Sequence, residues 1–424
     1  VKAWVVGGYV RDKLLGRPHP NPDVVVEGGD ALKVAERFAE LANAAPPATF
    51  ERFGTAQVTL PGRLVEFVTA RAESYASDSR KPDVRLATLE EDLMRRDFTI
   101  NTLLMDLDGE VHDPLGGRKD LEARVLRTPT DPIRTFADDP LRMLRAIRFA
   151  SQLGFELAPD VVPAMREMKS RLAPPVISVE RIADELRKML TSDRPRLAIE
   201  LLDAGGLLDA ILPELAAGKG VVQSGFHTHD VYGHTLLTVE RVPADLVLRL
   251  AALFHDAGKP STATADGAFL GHELVGAQLA RSSLERLRFS QMEIEQVVEL
   301  VRMHLRPVYY SSDWTDGAVR RLARDAGELL GRLMALARAD IAASAYPDPE
   351  KLDELQTRLD AVLAEKPSRL APLVTGEDVM RLRGIGPGPE VGRIKQRLEE
   401  LVIDGEIPPA HEAALAYLAE HPDL

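Results

Sequence analysis

The stretch VVGGYVRDKLLGRPHPNPDVVVEGGD, residues 5–30, decides how this chain is read. Its two apolar runs, one before the glycine pair and one after Asp23, have the β-branched content of strands. Between them Gly7 and Gly8 lie after a strand and ahead of a helical segment bearing Arg11. Such a turn leaves backbone N–H groups free, which suits phosphate, and Arg11 can add a bidentate charge-assisted donor. Asp23 opens the second strand, with Asn21 two positions earlier. Residues i and i+2 share one face of a strand, so two acids here would hold a divalent metal. Asn offers only a neutral carbonyl oxygen, whereas Mg2+ prefers anionic ligands. The stretch is therefore either a metal-dependent site with one weakened ligand or a surface turn leading into a strand.

Working outward, short β-rich runs alternate with helical segments up to about residue 128. The runs are AWVVGG, DVVVEG, AQVTLP, RLVEFVTA and TINTLLMDLDGEVHDP, the last carrying a hairpin turn signal. From about Asp138 strand signals nearly vanish. DPLRMLRAIRFASQLGF and SVERIADELRKMLTS have helical apolar spacing, with Asp139 and Ser178 placed to cap them. A glycine-containing break near residue 220 precedes a region holding most of the ten histidines. The expected fold is multidomain α+β, mainly helical. Its expected parts are an α/β head over 1–128, a helical neck over 129–220, a histidine-rich domain over 221–346 and a helical tail over 347–424.

Composition narrows the chemistry. With 424 residues the chain has room for about three domains. The absence of Cys excludes disulfides, thiolate zinc sites and cysteine nucleophiles. A net charge of −13 argues against nucleic-acid binding over the whole surface. Between Arg142 and Lys188, however, nine Lys and Arg face six Asp and Glu, so one segment is locally positive. No apolar run approaches a membrane span, and the first residues lack signal-peptide architecture; the expectation is a cytoplasmic protein.

The ordered series GGYVRD, the acid-bearing strand, FVTARAESY, EEDLMRRDFTIN and DDPLRMLRAIRFA resembles the class II tRNA nucleotidyltransferases. It is similar also to the related bacterial poly(A) polymerases, within the polymerase-β-like nucleotidyltransferase superfamily. The resemblance implies Mg2+-dependent nucleotidyl transfer from CTP and ATP to the tRNA acceptor end, without a nucleic-acid template. The family's paired metal acids align with Asn21 and Asp23, and its third acid with Glu66. Glu66, Glu27 or Asp30 could compensate for Asn21. Gly7, Gly8, Arg11, Arg96 and Asp97 align with nucleotide contacts. Asp139 and Arg142 align with the pair that reads the base: an Asp accepts from the amine of cytosine or adenine, and an Arg donates to ring acceptors. Arg145 and Arg148 follow at i+3 spacing, suited to the triphosphate or ribose. Arg80, Lys81 and Asp83 fall in the loop that, in this family, helps switch between C and A addition. Whether CCA, CC, A or poly(A) is added stays open.

VYGHTLL, LFHDAGKP, LGHELVGAQ, RMHLRP and ARADI bring His234, His255, Asp256, His272, His304 and Asp340. These resemble an HD-type metal phosphohydrolase domain and imply Mg2+ or a divalent transition metal. Lys259 reads either as a phosphate contact or as a solvated cap. The tail stretch RLRGIGPGPEVGRIKQR, residues 381–397, reads equally as a phosphate grip or a helix–turn–helix joint. An alternative from another class is an RNA-binding HD phosphohydrolase whose head is impaired by Asn21.

Overall fold

The computed structural model describes residues 1–19, 21–51, 54–74, 83–172, 176–223, 225, 228–265, 267–345, 350–364, 374–403, 405–408 and 410–424. They divide into two compact units. One comprises 1–216 with 285–289, and the other 217–284 with 290–424.

The first unit opens on β1 (Lys2–Val6), β2 (Asp23–Glu27), β3 (Ala48–Phe50), β4 (Thr55–Leu60) and β5 (Arg63–Thr69). Strands β6 (Arg71–Ser74) and β7 (Asp83–Leu86) pair with each other, and β8 (Leu104–Met105) and β9 (Val111–His112) form the expected hairpin. Seven strands make one mixed sheet in the order β3-β4-β5-β2-β1-β8-β9. Its centre is the antiparallel pair β1–β2 and the parallel pair β2–β5. Period-2 alternation sorts the side chains. Val24, Val26, Val65 and Phe67 bury one face against Ala31, Ala35 and Ala39 of the helix Ala31–Leu41. Val25 packs on the opposite face with Val6 and Leu93. Asp23, two residues before Val25, therefore belongs to that second face. Glu66, between Val65 and Phe67, belongs there as well.

Beyond the sheet the first unit is almost entirely helical. The helix Leu141–Leu153 packs its buried Met143, Leu144, Ala146 and Ile147 among its neighbours and ends at Gly154 in the left-handed region. Arg148 on this helix pairs with Glu185 on the helix Val179–Leu190 at 2.6 Å. Ser178 stands at the start of the latter helix without a side-chain cap bond, whereas Asp139 accepts from the Leu141 N–H at 3.1 Å.

The second unit is a stack of helices. Val231–Arg241, Leu246–Phe254, His272–Arg286, Gln291–Met303 and Leu330–Ala342 surround a buried polar centre. Helices Gly376–Arg383, Pro389–Ile403 and His411–Glu420 close a separate apolar core around Val379, Ile394, Leu398 and Leu418. Gly384, at φ +65°, ends the first of these three, so the glycine-rich stretch is a joint between packed helices. Among the described residues no helix is long and apolar enough to cross a membrane.

Candidate functional site

The sheet register builds the first site. Val6 lies opposite Asp23, and Asp23 lies opposite Glu66, so the end of β1, the start of β2 and the middle of β5 meet. Gly7 follows Val6 at φ +77°, a conformation that L side chains rarely adopt. A Cβ there would stand 3.3 Å from an Arg96 guanidinium nitrogen and 3.8 Å from Asp23 Oδ2. The glycine thus lets the Arg96 cation and the Asp23 carboxylate converge over the turn.

Asp23 remains reachable by solvent at its strand end, yet the protein around it strips away enough water to disfavour its charge. That loss, followed by repulsion from Glu66, pushes its pKa up to about 6 against the pull of Arg96. Glu66 accepts from Gln57 at 3.0 Å. Arg96 reaches back to Asp92 at 3.1 Å, while its buried Nε has no hydrogen-bond partner among the described residues. Two carboxylates facing each other beside one arginine have the electrostatic character that a divalent cation relieves. Asp23 and Glu66 therefore fit Mg2+ as oxygen ligands.

Asn21 is used differently. Its Oδ1 accepts from the Leu64 N–H at 2.9 Å, extending the β2–β5 ladder by one side-chain rung. Of the three suggested substitute acids, Glu66 lies opposite Asp23 and the other two are engaged elsewhere. Glu27 accepts from the Leu89 N–H, and Asp30 caps the helix Ala31–Leu41.

A chain of polar contacts runs from the turn to the helix Leu141–Leu153. Arg11 is buried, chelates Asp12 at 2.8 and 2.9 Å, and donates to Asn101 Oδ1 at 2.9 Å. Asn101 Nδ2 donates to Asp97 at 2.8 Å, and Arg145 holds the other Asp97 oxygen at 2.9 and 2.5 Å. Burial alone would raise Asp97, but Arg145 and Asn101 outweigh it and hold its pKa at about 2. Arg148 is likewise occupied, by Glu185 and by Gln152 at 3.0 Å. Asp139 receives Arg181 at 3.1 Å. Arg142 is tied to the carbonyls of Thr135 at 3.2 Å and Arg95 at 2.5 Å. Sequence reasoning missed Asn101 and Arg181; the one available signal was Asn101 standing four residues after Asp97. Arg80 and Lys81 lie outside the described residues, as does the side chain of Asp83.

The second site joins all six predicted groups. His234 sits on the helix Val231–Arg241, and His255 and Asp256 follow the apolar helix Leu246–Phe254. His272 opens its helix, His304 caps Gln291–Met303, and Asp340 lies on Leu330–Ala342. Gly258 permits this closeness: a Cβ there would come within 2.2 Å of the His272 carbonyl oxygen. Three imidazoles donate Nδ1–H to backbone carbonyls, His255 to Ala252 at 2.7 Å, His272 to Phe269 at 2.8 Å and His304 to Val301 at 2.6 Å. A carbonyl can only accept, so in the neutral ring each Nε2 is a lone pair aimed inward; burial opposes charge on His255, but Asp256 outweighs it and raises that ring.

Those atoms converge on Asp256. Its Oδ2 lies 3.4 Å from His255 Nε2 and 3.6 Å from His234 Nε2. Its Oδ1 lies 3.4 Å from His272 Nε2 and 3.9 Å from His304 Nε2. Asp340 stands 3.0 Å from His234. The Nε2 atoms of His272 and His304 are buried and make no hydrogen bond among the described residues. Burial, then the neighbouring His255, pushes His304 down to about 3, keeping it a neutral donor. For Asp340 burial is outweighed by His234 and His255, and its pKa sits at about 2. This set fits a divalent metal, with Asp256 offering one oxygen to each histidine group. Lys259 is buried rather than a solvated cap; it donates to Asp256 and Gln223 at 2.6 Å each.

Comparison with known proteins identifies the family. Residues 3–127 match the family described as the poly A polymerase head domain. Two further families, one for RNA binding by such polymerases and one for a second tRNA nucleotidyltransferase domain, match 154–219 and 268–418. The A-adding tRNA nucleotidyltransferase of Deinococcus radiodurans is 36% identical, across 97% of this chain and 94% of that one. The CC-adding tRNA nucleotidyltransferase of Thermus thermophilus is 35% identical, across 97% and 92%. Among solved structures, the Bacillus stearothermophilus CCA-adding enzyme in complex with CTP superimposes with a TM-score of 0.72 at 29% identity, covering 99% of this chain and 93% of that one. With its head sheet, its facing acids and relatives matched over nearly their whole length, the chain belongs to the tRNA nucleotidyltransferase family.

Proposed function

We propose that this protein adds C, A or both to the 3′ end of tRNA, without a template, from CTP and ATP. The observation that carries the proposal is the facing pair Asp23 and Glu66, two acids crowded enough to raise one of them to about 6. Bound there, Mg2+ would activate the attacking 3′-hydroxyl and neutralise the triphosphate. The chain's own residues do the remaining work. Arg96 adds positive charge beside Asp23, and the Gly7-Gly8 turn allows phosphate to approach the backbone. Asp97 and Asn101 hold Arg145 and Arg11 in fixed orientations.

Asp139 and Arg142 select the base. A carboxylate accepts from cytosine N4 or adenine N6, and it meets the carbonyl oxygen of uracil or guanine unfavourably. Residues 1–128 act as the catalytic head and 129–220 as the nucleotide-reading neck; 347–424 dock the tRNA backbone. The site of action is the cytoplasm, where tRNA substrates are. The test supplies Mg2+ and one labelled nucleotide at a time to tRNA ending before CCA, before the terminal A, or complete. CTP followed by ATP incorporation marks CCA addition. CTP alone, ATP alone or long A tails mark the narrower activities, and no incorporation of any nucleotide defeats the proposal.

The inward-facing Nε2 atoms of His272 and His304, beside Asp256, favour a second activity, metal-dependent phosphohydrolysis by residues 221–346. Its test is hydrolysis of bis-p-nitrophenyl phosphate with Mg2+, Mn2+, Ni2+ or Fe2+. Absence of turnover with all four makes the cluster structural.

A further inference from the structure

Asp139 is held from two sides. Oδ1 accepts from the Leu141 N–H, a local bond two residues along the chain, and Oδ2 accepts from the Arg181 guanidinium at 3.1 Å. Arg181 projects from the helix Val179–Leu190, and Glu185, one turn later, grips Arg148 at 2.6 Å. Residues four apart share a helix face. One face of this helix thus holds the Asp139 region twice, once through a buried pair and once through an outer pair. The outer pair is open to water, with Arg181 51% and Asp139 22% exposed. An ion pair of this kind adds little to stability, so global folding does not account for it.

We propose that Arg181 is a positioning residue for base selection, fixing the Asp139 carboxylate in the orientation that accepts an exocyclic amine. The inference rests on Asp139 being the group that faces the base. Held only by its local cap bond, the carboxylate could turn aside when a carbonyl-bearing base arrives, and the repulsion that rejects uracil and guanine would fade. The Arg181 bond opposes that turn. It does not block the amine, because a carboxylate oxygen keeps a second lone pair after accepting one hydrogen bond. Arg142 cannot substitute, since its guanidinium is bound to the carbonyls of Thr135 and Arg95.

The experiment measures kcat and KM for CTP, ATP, UTP and GTP on tRNA ending before CCA and before the terminal A. Wild type, Arg181→Ala, Arg181→Lys and Asp139→Ala are compared, with the melting temperature of each. Loss of about one outer ion pair predicts that Arg181→Ala weakens discrimination against UTP and GTP roughly fivefold. The change falls on the KM of the wrong nucleotides, Arg181→Lys restores most of it, and the melting temperature stays put. If Asp139→Ala loses discrimination while Arg181→Ala keeps it, the Arg181 inference alone is overturned. If Asp139→Ala keeps discrimination, base reading by Asp139 falls and this inference with it. Loss without rescue by Lys, together with a lower melting temperature, makes Arg181 structural and also overturns it.

Discussion

The acids of the head and the histidines of the second unit are two answers to the problem of holding a cation. In the head, Asp23 and Glu66 come from neighbouring strands, Asp23 at an exposed strand start, and Arg96 offsets the charge of Asp23. In the second unit the donors are buried, and three imidazoles are already oriented by backbone carbonyls. An open pair of acids suits an ion that arrives with a triphosphate and leaves with product. An enclosed set with fixed lone pairs suits an ion that stays. The difference lies in enclosure: backbone carbonyls orient three buried histidines, while in the head Gln57 holds Glu66 and Asp23 stays open to solvent.

The sharpest way to break this comparison is to remove one donor from each side. Asp23→Ala is expected to lower nucleotide incorporation by about a thousandfold or more, as loss of a principal metal ligand does. Metal content of the purified protein should stay the same, because the proposal assigns a retained ion to the histidines. The reciprocal double variant, His255→Ala with Asp256→Ala, should lose retained metal and any metal-stimulated phosphodiester hydrolysis while incorporation persists. Elemental analysis beside both assays decides; joint loss of both activities in either variant would end the separation.

Asn21→Asp sharpens the head side. One oxygen of the new carboxylate can keep the Leu64 N–H while the other adds negative charge next to Asp23. Incorporation at limiting Mg2+ is expected to rise about tenfold. No gain at any Mg2+ concentration would leave Asn21 as a ladder rung only.

The smallest effect is thermal. Asp23 has a pKa of about 6 in the fold against 3.8 ordinarily. Between those values the folded protein keeps a proton that the unfolded chain has released, so stability falls as pH rises through the window. Above it the charged carboxylate opposes folding. In EDTA, Asp23→Asn should therefore raise the melting temperature by roughly 2 °C at alkaline pH and leave it unchanged below the ordinary value. Saturating Mg2+ should reverse the order, since the wild type then gains the ion.

Much of this was legible in the residues because it is local. Strand alternation gave Asn21 and Asp23 a shared face, and the family resemblance put the acid of RLVEFVTA on an adjacent strand. The six metal-binding candidates announced themselves by residue type. What could not be read was who holds whom across the chain. Arg145 and Arg148 stand at a spacing that suits a triphosphate, yet Asp97 and Glu185 bind them from 48 and 37 residues away. Asn21 could be judged as a weakened ligand but not as the partner of the Leu64 N–H, since that bond depends on how β5 lies beside β2. Lys259 was ambiguous for the same reason, until burial beside Gln223 decided it.

Gly258 gives the second unit an unusual vulnerability. The space between its α-carbon and the carbonyl of His272 admits a hydrogen and nothing larger. An alanine there would wedge two backbone segments apart and pull one histidine out of register with the other donors, leaving the sheet of the first unit untouched. A single methyl group would then act as a surgical off-switch, removing the metal binding proposed for one half of the molecule while nucleotide addition continues in the other.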